Sequence, residues 1–103
     1  MKTVFHVNDV QNLDAAVANI ENLLVFEPIE QIILVINGPA IKVVKDSPQI
    51  VKLVAMEKVT VYACNNAMKA HDIDYVLEGV KVVPAGVYSL TQLQLTGFAY
   101  IKP

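Results

Sequence analysis

The run Ile32-Ile33-Leu34-Val35-Ile36 constrains this chain more than any other stretch, because five apolar residues follow one another without a polar break. Successive side chains of a strand point to opposite faces, so an unbroken apolar run needs cover on both sides. Five residues are far fewer than the roughly 20 that a membrane-crossing helix takes. They suit a strand inside a parallel sheet, and such a sheet requires helical crossovers packed against it.

The rest of the sequence supplies those parts. Strand-like runs occupy residues 4–7, Gln31–Ile36 and residues 59–63, with two more at residues 80–83 and Phe98–Ile101. Between the first two, Leu13, Val17, Ile20 and Leu24 step by 4, 3 and 4 residues, one face of a helix over residues 13–26. Asn8, Asp9 or Asn12 can cap its start, and Pro28 follows its end. Ser47-Pro48 reads as an N-cap and first helical residue, opening a helix through Ile50, Leu53 and Val54. Residues 65–70 support a short helix, Asp72 or Asp74 can start another turn or two, and residues 87–96 form a last helix stopped by Gly97. The expectation is one domain over residues 1–103, a flavodoxin-like three-layer α/β sandwich with a five-stranded parallel sheet and right-handed crossovers.

Composition narrows the function classes. The chain is 54% hydrophobic and 17% charged over 103 residues. A domain this small cannot hide so much apolar surface, so a homo-oligomer is expected. The eight basic residues are all lysine, spread singly, and the formal net charge is −2. Without arginine or a basic cluster, nucleic-acid binding is disfavoured. No signal-like segment opens the sequence and no run could span a membrane, while a single cysteine suits a reducing cytoplasm. One Cys and two dispersed His also lack the paired spacing of a metal site.

In open α/β sheets ligands gather beyond the carboxyl ends of the strands. Three breaks fall there: Asn37-Gly38-Pro39, Cys64-Asn65-Asn66 and Pro84-Ala85-Gly86, with His6 and Asn8 at the end of the first strand. Cys64 is the sharpest candidate. At a strand-to-helix junction its sulfur meets free helical N–H groups, which stabilise the nucleophilic thiolate. The plainer reading is a small buried hydrophobe. His6 could serve as a base, although its alternating strand context suits a hydrogen-bonded structural histidine, and His71 reads as a surface residue. The turn at Gly38 lacks the glycine and lysine pattern of a phosphate loop. Ala85 and Gly86 form a turn at which backbone N–H groups could approach an anion. Asp72 and Asp74 read as helix caps rather than a working carboxylate pair.

With these positions set, the blocks VFHVND, LVINGPAIKVVKDS, VTVYACNNAMKAHDID and LEGVKVVPAGVYSLTQLQLTGFAYIKP resemble the DsrE/DsrF-like family of small sulfur-relay proteins, closest to its stand-alone intracellular branch. The resemblance runs end to end. It implies a five-stranded parallel fold and homo- or hetero-oligomers, commonly trimers or hexamers. It also implies that a cysteine after the third strand carries sulfur as a persulfide, received from a donor and passed to an acceptor protein. Cys64 matches that cysteine. Asn65, Asn66, Gly38, Ala85, Gly86 and His6 follow as neighbours that would bind the substrate, with no metal or organic cofactor needed. The alternative is a non-enzymatic oligomeric module that binds a small ligand or partner at the same rim, with Cys64 packed and unreactive. A weaker third option is redox sensing by the lone thiol.

Overall fold

The computed structural model describes residues 1–103. Five strands form one sheet: β1 (Lys2–Val7), β2 (Gln31–Ile36), β3 (Val59–Cys64), β4 (Lys81–Val83) and β5 (Phe98–Ile101). Their order is β4-β3-β2-β1-β5 and every pairing is parallel. Four α-helices complete the chain: α1 (Leu13–Leu24), α2 (Pro48–Val54), α3 (Asn65–Ala70) and α4 (Gly86–Leu95). The expected flavodoxin-like sandwich is therefore present, with the apolar run of β2 at its centre.

The two faces of the sheet are covered unequally. Phe5, Val7, Ile32, Leu34, Ile36, Val61 and Ala63 point to the first face and join the buried residues of α1, α2 and α3 in a core of 23 residues. The alternate positions, Val4, Ile33 and Val35, meet Leu90 of α4 and Phe98 in a core of only five residues. The crossovers explain this division. β1 to β2, β2 to β3 and β3 to β4 each step one place in the same direction, so right-handed connections stack their helices on one side. The connection from β4 back to β5 reverses direction across the whole sheet and lays α4 alone on the other side.

Three expectations required correction. The Asn37-Gly38-Pro39 break does not make a simple tight turn but opens a 3₁₀ helix over Gly38–Lys45. Gly38 takes φ +55°, Pro39 starts the helix, and the i, i+3 pairs Ala40/Val43 and Ile41/Val44 are all buried, which suits a three-residue repeat. No helical turn follows Asp72 or Asp74. Asp72 instead takes φ 56° and ends α3, with the Ile73 N–H donating to the Met68 carbonyl at 2.9 Å. Ile73 and Met68 are both buried in the first core, which completes a Schellman-type stop. Finally, α1 ends at Leu24 rather than continuing to Phe26, leaving Val25 and Phe26 exposed.

Several local signals act as expected. Ser47 and Pro48 occupy the N-cap and N1 positions of α2. Gly97, at φ +98°, turns the chain from α4 into β5. Asp9 caps a short 3₁₀ turn over Val10–Asn12 by accepting the Gln11 N–H at 3.0 Å, and Asn12 then opens α1.

Candidate functional site at the carboxyl rim

Because all five strands run in one direction, their carboxyl ends share one rim. The connection leaving β3 goes to the first face and that leaving β4 to the second, so the switch point of this topology lies between those two strands. Cys64 and Val83 are register partners there, each the last residue of its strand. The only thiol of the chain thus sits in the position where such sheets open a crevice.

Cys64 is also the N-cap of α3. Its backbone is extended, at φ −72° and ψ 116°, and its Sγ accepts the Ala67 N–H at 3.5 Å. One of the free amides at the start of the helix therefore rests on the sulfur, as a serine or aspartate oxygen would at a cap. The residue is 6% exposed and packs in the first core with Ala67 and Met68. No histidine or carboxylate is hydrogen-bonded to it. Asn65 and Asn66 form the first turn of α3 and leave the capping to Cys64.

The chain from β4 to α4 runs along the same rim. Gly86 stands against Val35 and Asn37 of the β2 strand and its end, where an added Cβ would meet Asn37 Cβ at 3.2 Å and Val35 Cγ1 at 3.3 Å. Pro84-Ala85 must therefore cross the end of β3 on its way from β4 to a position above β2. Three Cα steps reach about 10–11 Å, and two strand spacings amount to about 10 Å. The link is nearly taut, consistent with the extended backbone of Ala85 at φ −149° and ψ 128°. Gly86 is thus explained by close packing on Asn37 and Val35, not by a left-handed backbone.

A second polar group lies along the same rim. His6 Nε2 is 2.9 Å from Asn37 Oδ1, and His6 Nδ1 is 2.7 Å from the Tyr100 hydroxyl. A carboxamide oxygen can only accept, so His6 donates from Nε2–H to Asn37 and, as the neutral ring, accepts a hydrogen bond from the Tyr100 hydroxyl at Nδ1. Gly38, next in the chain, stands against Asn8, whose carbonyl oxygen an added Cβ would meet at 3.4 Å. The three expected breaks do converge, yet in two groups: Cys64, Asn65 and Asn66 beside β4, and His6, Gly38 and Gly86 around Asn37. Both of His6's ring nitrogens are engaged away from the thiol, so it is not a base for Cys64.

Tyr100 is the residue that sequence reading did not reach, and Asn37 entered it only as part of the Asn37-Gly38-Pro39 break. Tyr100 lies 94 residues from His6 and is joined to it by the β1–β5 pairing. Nothing local in the sequence marks that partnership. Asn37 read as turn chemistry before Gly38, and only the β1–β2 register places it opposite the His6 end of β1.

Two surface cavities lie elsewhere. One, of about 300 Å³, is lined by Phe5, Leu23, Phe26, Ile101 and two asparagines of α1. The other, of about 450 Å³, lies between α2 and the Leu77-Glu78-Gly79 segment. Neither includes Cys64. No three His, Cys, Asp or Glu side chains gather at metal-binding spacing, and no helix is long and apolar enough to cross a membrane. At the opposite, amino-terminal edge, the Met1 ammonium 3.1 Å away holds the Glu30 carboxyl below its ordinary range.

Comparison with known proteins agrees with this geometry. The whole chain, residues 1–103, matches the DsrE/DsrF-like family. A solved structure of a protein of unknown function from Methanobacterium thermoautotrophicum is 31% identical, with a TM-score of 0.88 over 99% of this chain and 98% of that one. A conserved protein of unknown function from Bacteroides thetaiotaomicron shares the fold at 18% identity, with a TM-score of 0.68 over 99% and 94% of the two chains. None of the curated proteins compared by sequence matches.

Proposed function

The chain belongs to the DsrE/DsrF-like family, which is linked to sulfur relay, and from that premise we propose that it is a sulfur carrier in which Cys64 holds sulfane sulfur as a persulfide. The observation that carries this reading is the chain's one thiol at the β3/β4 switch point, with the Ala67 N–H on its sulfur. The Cys64 thiolate attacks the outer sulfur of a donor such as thiosulfate. The donor S–S bond breaks with its electron pair on the departing sulfite, leaving Cys64–S–S⁻. An acceptor thiolate then takes the terminal sulfur and Cys64 leaves as thiolate, so no external oxidant or reductant enters. The rim residues Asn65, Asn66, Gly38, Ala85, Gly86 and His6 are the proposed surroundings of the substrate.

At 6% exposure Cys64 reacts only when its cover moves. Ala67 and Met68 of α3 are part of that cover. The test is intact-mass measurement after incubation with thiosulfate or polysulfide. Sulfur-atom increments on the native protein, absent in Cys64→Ser, are expected. No loading under conditions that load a known carrier would overturn the proposal.

The same burial, with no base at the sulfur, favours a second reading in which the protein is an oligomeric binding module and Cys64 is packing. Alkylation separates the two. Fast modification of the native protein below neutral pH supports the carrier, and protection until unfolding supports the module. Under both readings the protein works in the cytoplasm as a homo-oligomer, a trimer or hexamer. The exposed Val25, Phe26, Val87 and Leu95, each at least 60% accessible, support an association surface. Sedimentation showing a monomer at micromolar concentration would contradict it.

A further inference from the structure

We infer that the free edge of β5 is a joint between two copies of this chain, paired antiparallel across a twofold axis so that two five-stranded sheets become one. This rests on the homo-oligomer reading and adds to it the surface and the symmetry of one contact. The first observation is an open row of hydrogen-bonding groups. β5 pairs only with β1, in an unbroken register from Phe98 to Ile101, and outside that pairing none of its backbone groups is bonded within the chain. In a strand paired on one side, alternate N–H and C=O groups point away from the sheet, and another strand is what satisfies them as a row.

Second, this edge carries none of the usual guards against pairing. Phe98-Ala99-Tyr100-Ile101 contains no charge and no proline, and its even register leaves no room for a bulge. The opposite edge differs, since β4 has three residues and begins with the exposed Lys81. A β5 edge laid on a neighbour's β4 would also be head to tail, which grows into a fibre unless it closes as a ring. Two β5 edges are self-complementary and close at two copies.

Third, apolar surface flanks this edge on both faces of the sheet. Ile101 lines the smaller cavity with Phe5, Leu23 and Phe26 on the α1 side, while Tyr100 lies on the α4 side against His6. Phe26 is 60%, Tyr100 41% and Ile101 37% exposed. With the exposed Ala99 they present on the order of 300 Å² of apolar surface. A standard interface takes about 450 Å² of apolar surface from each partner, so this patch is a large share of one. A trimer contains no twofold axis, so of the assemblies proposed above the hexamer is the one this joint builds.

The test is sedimentation of the wild type, Ala99→Lys and Val82→Lys at micromolar concentration. Ala99 and Val82 are both exposed, on opposite edge strands, and a lysine on an edge strand blocks strand addition. Ala99→Lys should halve the assembled mass, and Val82→Lys should leave it unchanged. An unchanged mass in Ala99→Lys would overturn the inference, as would equal losses in the two variants. A wild-type trimer would overturn it and leave the homo-oligomer reading standing, whereas a wild-type monomer overturns both. If circular dichroism shows Ala99→Lys unfolded, hydrogen exchange of the wild type decides. All the β5 amides should be protected in the assembly, and fast exchange at alternate amides, the mark of a bare edge, overturns the inference.

Discussion

The two faces of the sheet are built to different standards. The first buries a 23-residue core under α1, α2 and α3, whereas the second has a five-residue core under α4 alone. Central residues such as Leu34 and Ile50 are wholly buried on the first face, while Val87, Tyr88 and Leu95 of α4 stand more than half exposed. The first face holds the fold together. The second holds α4 by a small core, which is what allows a segment to open without global unfolding.

Truncating the strong face should have the largest effect. Leu34→Ala is expected to lose about 3–4 kcal/mol in urea denaturation, within the range for fully buried leucines. Leu90→Ala on the weak face, where α4 can settle into the space, should lose about 2 kcal/mol. Equal losses would erase the contrast. Hydrogen exchange sharpens it further, because α4 amides should exchange through an opening of lower free energy than those of β1 and β2. Matching protection would mean that α4 does not move independently.

Gly86→Ala probes the contact between α4 and the rim. Its methyl group would push on Asn37 and Val35, with an expected loss of about 1–2 kcal/mol. The His6 imidazole ¹⁵N signals should shift as the Asn37 bond is disturbed, and an unchanged imidazole would mean that the clamp tolerates the intrusion. Gly38→Ala is smaller, about 1 kcal/mol, because φ +55° strains any residue with a Cβ. Smallest of all is Glu30. Its carboxyl is held low by Met1, so its contribution exists above the ordinary carboxylate range and disappears as pH falls through its lowered value. The pair is exposed, so Glu30→Gln should leave the neutral-pH melting midpoint unchanged within measurement scatter.

Much of this architecture is legible in the sequence because periodicity reports burial. The unbroken run at Ile32-Ile33-Leu34-Val35-Ile36, the helical steps from Leu13 and the stop at Gly97 each state a local environment. What periodicity does not report is which covering belongs to which face. The uneven cores follow from the long β4-to-β5 return, a property of strand order. The segment after Asp72 departs from its expected helical turn for a related reason. Asp72 has the chemistry of a cap, and capping and stopping residues draw on the same short polar side chains; burial of Ile73 against Met68 decides between them. At the site, Cys64 was visible as a lone thiol at a strand end, and the rim loops as turn residues. The bonds of Asn37 and Tyr100 to His6 were not, since they span 31 and 94 residues.

The near-taut Pro84-Ala85 link gives the molecule a mechanical property. A slack loop could swing aside while both of its ends stayed in place, but a stretched one has no spare length. Shifting this link must therefore either lift the start of α4 or draw β4 off the sheet edge, and β4 has only three residues with which to resist. The seating of α4 and the integrity of that edge strand become one degree of freedom. A load placed on α4 is therefore felt at β4, and one placed on β4 is felt at α4.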